Sequence, residues 1–116
     1  MEDNRRQHTR FQTAVAAELD VDGEIFTATT RDISAGGASI ITEAHLNDGG
    51  EVMITLILTE DGIEAANHDA LCTRARVMWS AQTDDGATMA GLRFEQLGAS
   101  SVRTLSQLLA ALNARD

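Results

Sequence analysis

The sequence predicts a mainly β protein: a six-stranded antiparallel β-barrel followed by one amphipathic α-helix. Three observations predict it. Short runs of alternating apolar and polar residues recur along most of the chain, the period of a half-buried strand. Glycine-centred turn signals separate the runs, and proline is absent from all 116 residues. Only the final stretch changes to a spacing of three and four, as one face of a helix requires.

Residues 1–10 are polar and aperiodic, which predicts a flexible arm ahead of a barrel spanning 11–116. Phe11, Val15, Ala17, Leu19 and Val21 then fall on odd positions with Gln12, Glu18 and Asp20 between them, a first strand. Asp22-Gly23 predicts a tight hairpin, because both central residues of a type I′ turn need positive φ. The threonine-rich return strand runs from Glu24 to Ile33.

A glycine pair, Gly36-Gly37, leads into a short third strand from Ala38 to Thr42, and Asn47 to Gly50 forms a loop. Val52 to Leu58 is apolar on both faces, so it is expected to be the most buried strand. Thr59 to Ala70 is acidic and irregular and is expected to be a solvated connection. Leu71, Thr73, Ala75, Val77 and Trp79 alternate with Cys72, Arg74, Arg76 and Ser80 as a fifth strand. Asp84-Asp85-Gly86 turns the chain, and Ala90, Leu92 and Phe94 mark a sixth. Val102, Leu105, Leu108, Leu109 and Leu112 form the apolar helix face, with Ser100 or Ser101 as cap.

Composition narrows the function. The net charge is -9 and every basic residue is arginine, which argues against DNA or RNA as a partner, since a polyanion needs a broad basic surface. Arg5, Arg6 and Arg10 nevertheless cluster at the start, on a chain that is otherwise acidic. That pattern suits a small anion better than a polymer. A lone Cys72 rules out a disulfide framework and suits a reducing compartment. The sequence has no apolar run long enough for a membrane span and no secretory h-region at its start, so a cytoplasmic, uninserted protein is expected.

The stretch R-D-I-S-A-G-G-A-S-I-I-T, Arg31 to Thr42, carries the chemistry. In extended backbone Asp32 and Ser34 emerge on one face, a carboxylate beside a hydroxyl. Gly36 and Gly37 follow, and glycine serves where φ is positive or where a ligand nears the backbone. No nucleophile stands beside a base, so no enzyme is expected. His45, His68 and Cys72 are too few and too scattered to support a metal site. Trp79 shares the parity of Val77, which favours core or rim packing; stacking on a ligand base is its other reading.

Two motifs stand in order: Arg6-x-x-x-Arg10, then Asp32-x-Ser34-x-x-Gly37. In this composition the first is expected by chance about 0.7 times and the second only ~0.05 times. With V-M-W-S (Val77 to Ser80) and G-L-R-F (Gly91 to Phe94), the chain resembles the PilZ domain family, whose signature is an R-x-x-x-R segment before the first strand and a [D/N]-x-S-x-x-G segment after the second. The resemblance implies a six-stranded barrel that binds the bacterial second messenger cyclic di-GMP and needs no cofactor.

It also implies a ligand-binding set of Arg5, Arg6, Arg10, Asp32, Ser34, Gly36 and Gly37, with Trp79 as a further candidate. An arginine fork takes guanine O6 and N7, or phosphate oxygens, two at a time. Asp32 can accept from guanine N–H groups or hold an arginine, and Ser34 can bond phosphate or its own loop. The family's residue at the place of Arg5 influences whether one ligand or a stacked pair is held, and an arginine there implies two molecules per chain. The downstream partner implied is a separate, unidentified protein. The alternative is an adaptor of the same fold that binds protein and no nucleotide.

Overall fold

A computed structural model describes residues 13–60, 63–64 and 70–113. Its strands are β1 (Thr13–Val21), β2 (Glu24–Ile33), β3 (Gly37–Thr42), β4 (Glu51–Glu60), β5 (Ile63–Glu64), β6 (Leu71–Gln82) and β7 (Thr88–Glu95), followed by helix α1 (Ala99–Asn113). Neighbours run β1-β2-β3-β7-β6-β4, and β4 pairs back onto β1, closing a six-stranded antiparallel barrel. Among the described residues two-residue β5 pairs only with the end of β4, at Thr59 and Glu60. Closure leaves the six long strands without a free edge along their paired lengths.

One face of each strand fills the interior. Leu19, Ile40, Ile54, Leu56, Leu71 and Val77 are fully buried there, and Leu105 and Leu108 of α1 join the same core. At the predicted hairpin, Asp22 and Gly23 have φ of 54° and 91°, and Asp20 Oδ1 accepts from Gly23 N at 2.8 Å.

Several expectations are corrected. β4 is not buried on both faces: Val52, Ile54, Leu56 and Leu58 point inward, while Met53 is 38% exposed. Among the described residues no second layer covers this outer face, so it meets solvent. The connection after Leu58 is not wholly irregular, since β4 runs on to Glu60 and β5 pairs with it. α1 begins at Ala99, so Ser100 and Ser101 lie inside the first turn and Gly98 supplies the first carbonyl, accepting from Val102 N at 2.9 Å. Val102 itself is 49% exposed, because Leu105 and Leu108 set the buried direction.

Two strands carry a bulge. β2 shifts register between Thr30, which faces Ile40, and Asp32, which faces Ser39; β6 shifts between Val77, opposite Leu92, and Trp79, opposite Gly91. Each inserts one residue and reverses the in-out parity beyond it. The first leaves a buried Thr30 Oγ1 with no hydrogen-bond partner among the described residues. Thr30→Val keeps the shape and removes that orphan hydroxyl, so it should raise stability by about 1 kcal/mol, read as a higher urea midpoint.

Candidate functional site

The bulges decide what the outer wall presents. Uninterrupted alternation would turn Asp32 inward with Thr30 and Trp79 inward with Val77. The inserted residues, Arg31 and Met78, turn both side chains out. The ladder then aligns Asp32 with Ser39, Ser39 with Gly91, and Gly91 with Trp79, a single row across β2, β3, β7 and β6. Asp32 Oδ2 accepts from Ser39 Oγ at 3.0 Å, which fixes one carboxylate oxygen.

Trp79 is therefore not a core residue. It is 44% exposed, and its indole lies across Gly91, where a Cβ would sit 2.6 Å from Trp79 Cε2. The glycine provides the flat seat on which the ring rests. Gly91→Ala should lift the indole while leaving the melting temperature within a few degrees, because a ring tip can move where backbone cannot; the check is a shifted tryptophan emission maximum.

At the end of β2, Ser34 bonds its own loop, the second of its two expected roles. Its N–H donates to Gly37 O at 2.8 Å, and its Oγ accepts from Gly36 N at 3.3 Å. Asp32 and Ser34 are both exposed, and each is engaged with a different partner. Neither Gly36 nor Gly37 has positive φ, so the pair does not serve turn geometry. Gly37 is required by packing: a Cβ there would lie 3.1 Å from Arg93 Cα and closer still to the Leu92 carbonyl oxygen. Among the described residues a Cβ on Gly36 would meet nothing within 4 Å, so none of them closes off that backbone.

Arginines flank the row. Arg31 Nη1 donates to Met89 Sδ at 3.0 Å on one side. On the other, Arg93 stands opposite Gly37 and next to Arg76. Arg76 grips Glu95 with Nε to Oε2 at 2.9 Å and Nη2 to Oε1 at 3.3 Å, and Nη1 reaches Gly49 O at 2.8 Å. Together with Gly49 N to Val77 O and Val77 N to Gly50 O, this pins the 47–50 loop beside the second bulge.

The hydrogen bonds from Arg76 hold the Glu95 carboxyl below its ordinary 4.5, against opposing desolvation, with Arg93 adding a smaller pull. A depressed carboxylate contributes stability above its ordinary value and loses it as pH falls through its folded one. Melting temperature should therefore drop on acidification below pH 4.5, and Glu95→Gln should flatten part of that drop.

Among the described residues no group of three or more metal-ligating side chains converges. Cys72 is exposed, and His68 lies outside the described residues. Arg5, Arg6 and Arg10 also lie outside them. A cleft of about 250 Å³ lined by Thr27, Thr29, Ile41 and Glu43, among others, sits further along the β2–β3 pair and contains none of the expected residues. Among the described residues the row thus presents an acceptor and an aromatic face, with the bare Gly36 backbone beside it and cations at its flanks. Sequence reasoning missed Arg31, Ser39, Gly91 and Arg93 as parts of it. The stretch Arg31 to Thr42 contained the first two without giving them a role, and G-L-R-F contained the other two, since Gly91 and Arg93 are two apart in a strand and share a face.

No described helix is long and apolar enough to cross a membrane. The PilZ domain family profile matches residues 4–111. No similar sequence was found among curated proteins. Among solved structures, the PilZ domain of YcgR from Escherichia coli with c-di-GMP aligns at TM-score 0.66 and 14% identity, over 96% of this chain and 93% of that one. The Bacillus subtilis inhibitor of motility MotI/DgrA aligns at 0.65 and 15%, over 98% of this chain and 54% of its own. Borreliella burgdorferi PlzA in complex with c-di-GMP aligns at 0.55 and 9%, over 97% of this chain and 54% of its own. The chain thus spans about half the length of the latter two proteins. Likeness at these identities establishes the fold.

Proposed function

This chain belongs to the PilZ domain family, and from that premise we propose that it is a non-catalytic receptor for cyclic di-GMP. The observation that carries the reading is the row in which two bulges turn Asp32 and Trp79 outward on one wall, beside the open Gly36 backbone. The indole offers a stacking face for a guanine. The Asp32 oxygen not held by Ser39 accepts from guanine N1–H or N2–H₂. YcgR and PlzA, similar in fold, were each solved with c-di-GMP.

Arg6 and Arg10 supply bidentate contacts to guanine or phosphate, and Ser34 shapes the loop that Gly36 leaves bare. Residues 1–10 act as an arm that is mobile without ligand and closes over the platform when the dinucleotide arrives. Arg5 favours a stacked pair, two molecules per chain. The ordered arm, ligand and barrel wall form the surface read by a separate downstream protein, in the cytoplasm and without DNA, RNA or membrane insertion.

Titration calorimetry with cyclic di-GMP tests the reading, reporting affinity and stoichiometry together. Ligand at 100 times its dissociation constant should also stabilise the fold by about 2.7 kcal/mol, seen as a raised melting temperature. Absence of heat and of any thermal shift rejects the receptor reading in favour of a nucleotide-independent adaptor.

A further inference from the structure

We propose that Arg93 is a further ligand-contacting residue, a cation fixed on the barrel wall that binds a phosphate of the dinucleotide at the Gly36–Gly37 corner. The inference rests on the receptor reading above and adds to it a contact that neither motif contains.

Position is the first argument. Arg93 pairs with Gly37 across the β3–β7 ladder, and the next residue, Phe94, donates its N–H to Gly36 O at 2.9 Å. The guanidinium therefore emerges on the outer wall beside the two glycines. The neighbouring ladder row on that wall holds Asp32, Ser39, Gly91 and Trp79. A ligand stacked on the indole and held at Asp32 would bring its phosphates within reach of a side chain as long as arginine.

Availability is the second. Among the described residues the one ion pair of Arg93 is Nη2 to Glu95 Oε2 at 3.4 Å, onto an oxygen that Arg76 Nε already holds at 2.9 Å. Glu95 is satisfied by Arg76 through both oxygens. Arg93, 56% exposed, is a loosely held second donor that can turn to an incoming anion without orphaning its acid. Arg76 cannot, because it also holds the Gly49 carbonyl and so the 47–50 loop. Division of labour follows: one arginine fastens the wall, the other is left for ligand.

The third argument is charge. Apart from Arg31, whose guanidinium donates to Met89 Sδ on the far side of the row, the platform presents the Asp32 carboxylate on an acidic protein, which repels a phosphodiester. A cation fixed one row away offsets that repulsion before any contribution from Arg6 or Arg10.

The test is calorimetric titration of the full chain with cyclic di-GMP for the parent, Arg93→Ala, Arg93→Gln, Arg93→Lys and, as a remote charge control on α1, Arg103→Ala. Arg93→Ala and Arg93→Gln should each weaken affinity about tenfold, Arg93→Lys less, and Arg103→Ala not at all. The salt dependence of the affinity should become shallower in the first two variants. Their melting temperatures should match the parent, because an exposed 3.4 Å pair adds little to the fold. Parent-like affinity in both neutral variants overturns the role of Arg93 while leaving the receptor reading intact. Equal weakening by Arg103→Ala also overturns it, as that would be a general charge effect. A parent that does not bind overturns both.

Discussion

Gly37→Ala should destabilise the barrel by about 2–4 kcal/mol, the largest effect expected from adding a single methyl anywhere in the D-x-S-x-x-G segment. The added Cβ meets the Leu92 carbonyl oxygen and lies 3.1 Å from Arg93 Cα, both of them backbone atoms. No rotamer change relieves such a contact, so β3 and β7 must move apart. In a closed barrel that movement strains the neighbouring pairs as well. Gly36→Ala is the matched control. Its Cβ meets no described residue within 4 Å and its φ is not positive, so its urea midpoint should stay at or slightly above the parent's. Coincident denaturation curves for Gly37→Ala and parent would show that the two backbones do not approach as described.

Asp32→Ala should weaken cyclic di-GMP binding by about 1–3 kcal/mol, roughly 5- to 150-fold, with little change in melting temperature. Binding loses an ionised acceptor for guanine N–H donors. Folding loses one exposed hydrogen bond, the 3.0 Å contact from Ser39 Oγ, whose hydroxyl remains free to bond water. Arg6→Ala and Arg10→Ala should give the same signature, since each removes a bidentate contact from the arm. Asp32→Asn separates charge from shape: it keeps an acceptor oxygen but adds N–H donors that face the guanine donors, so it should bind as poorly as Asp32→Ala. Parent affinity by calorimetry in Asp32→Ala, Arg6→Ala and Arg10→Ala together would refute the assigned site.

The two classes of result divide the motif by mechanism. Within one six-residue segment, Gly37 answers to strand packing, Ser34 to its own turn, and Asp32 to the outer wall. A motif match alone does not make that division.

Much of the architecture was legible in residue order. Alternation set the six long strands, Asp22-Gly23 announced its hairpin, and the change of period marked the helix, because these signals depend on neighbours a few residues apart. Errors gathered where partners are distant. Val52 to Leu58 looked buried on both sides, yet barrel closure gives β4 one wet face and leaves Met53 exposed. Ser100 and Ser101 looked like caps, yet α1 starts at Ala99 and the Gly98 carbonyl is its first acceptor.

The sequence by itself determined the strands, the turns and the residue types of the acceptor, the hydroxyl and the glycine pair. Only the tertiary structure decided which way Asp32 and Trp79 face and that they share a row. Parity predicts a side chain's face only along an unbroken ladder, and an extra residue at Arg31 or Met78 reverses it. Where that residue falls is set by pairing with β3 and β7, strands whose contribution no local pattern in β2 or β6 records.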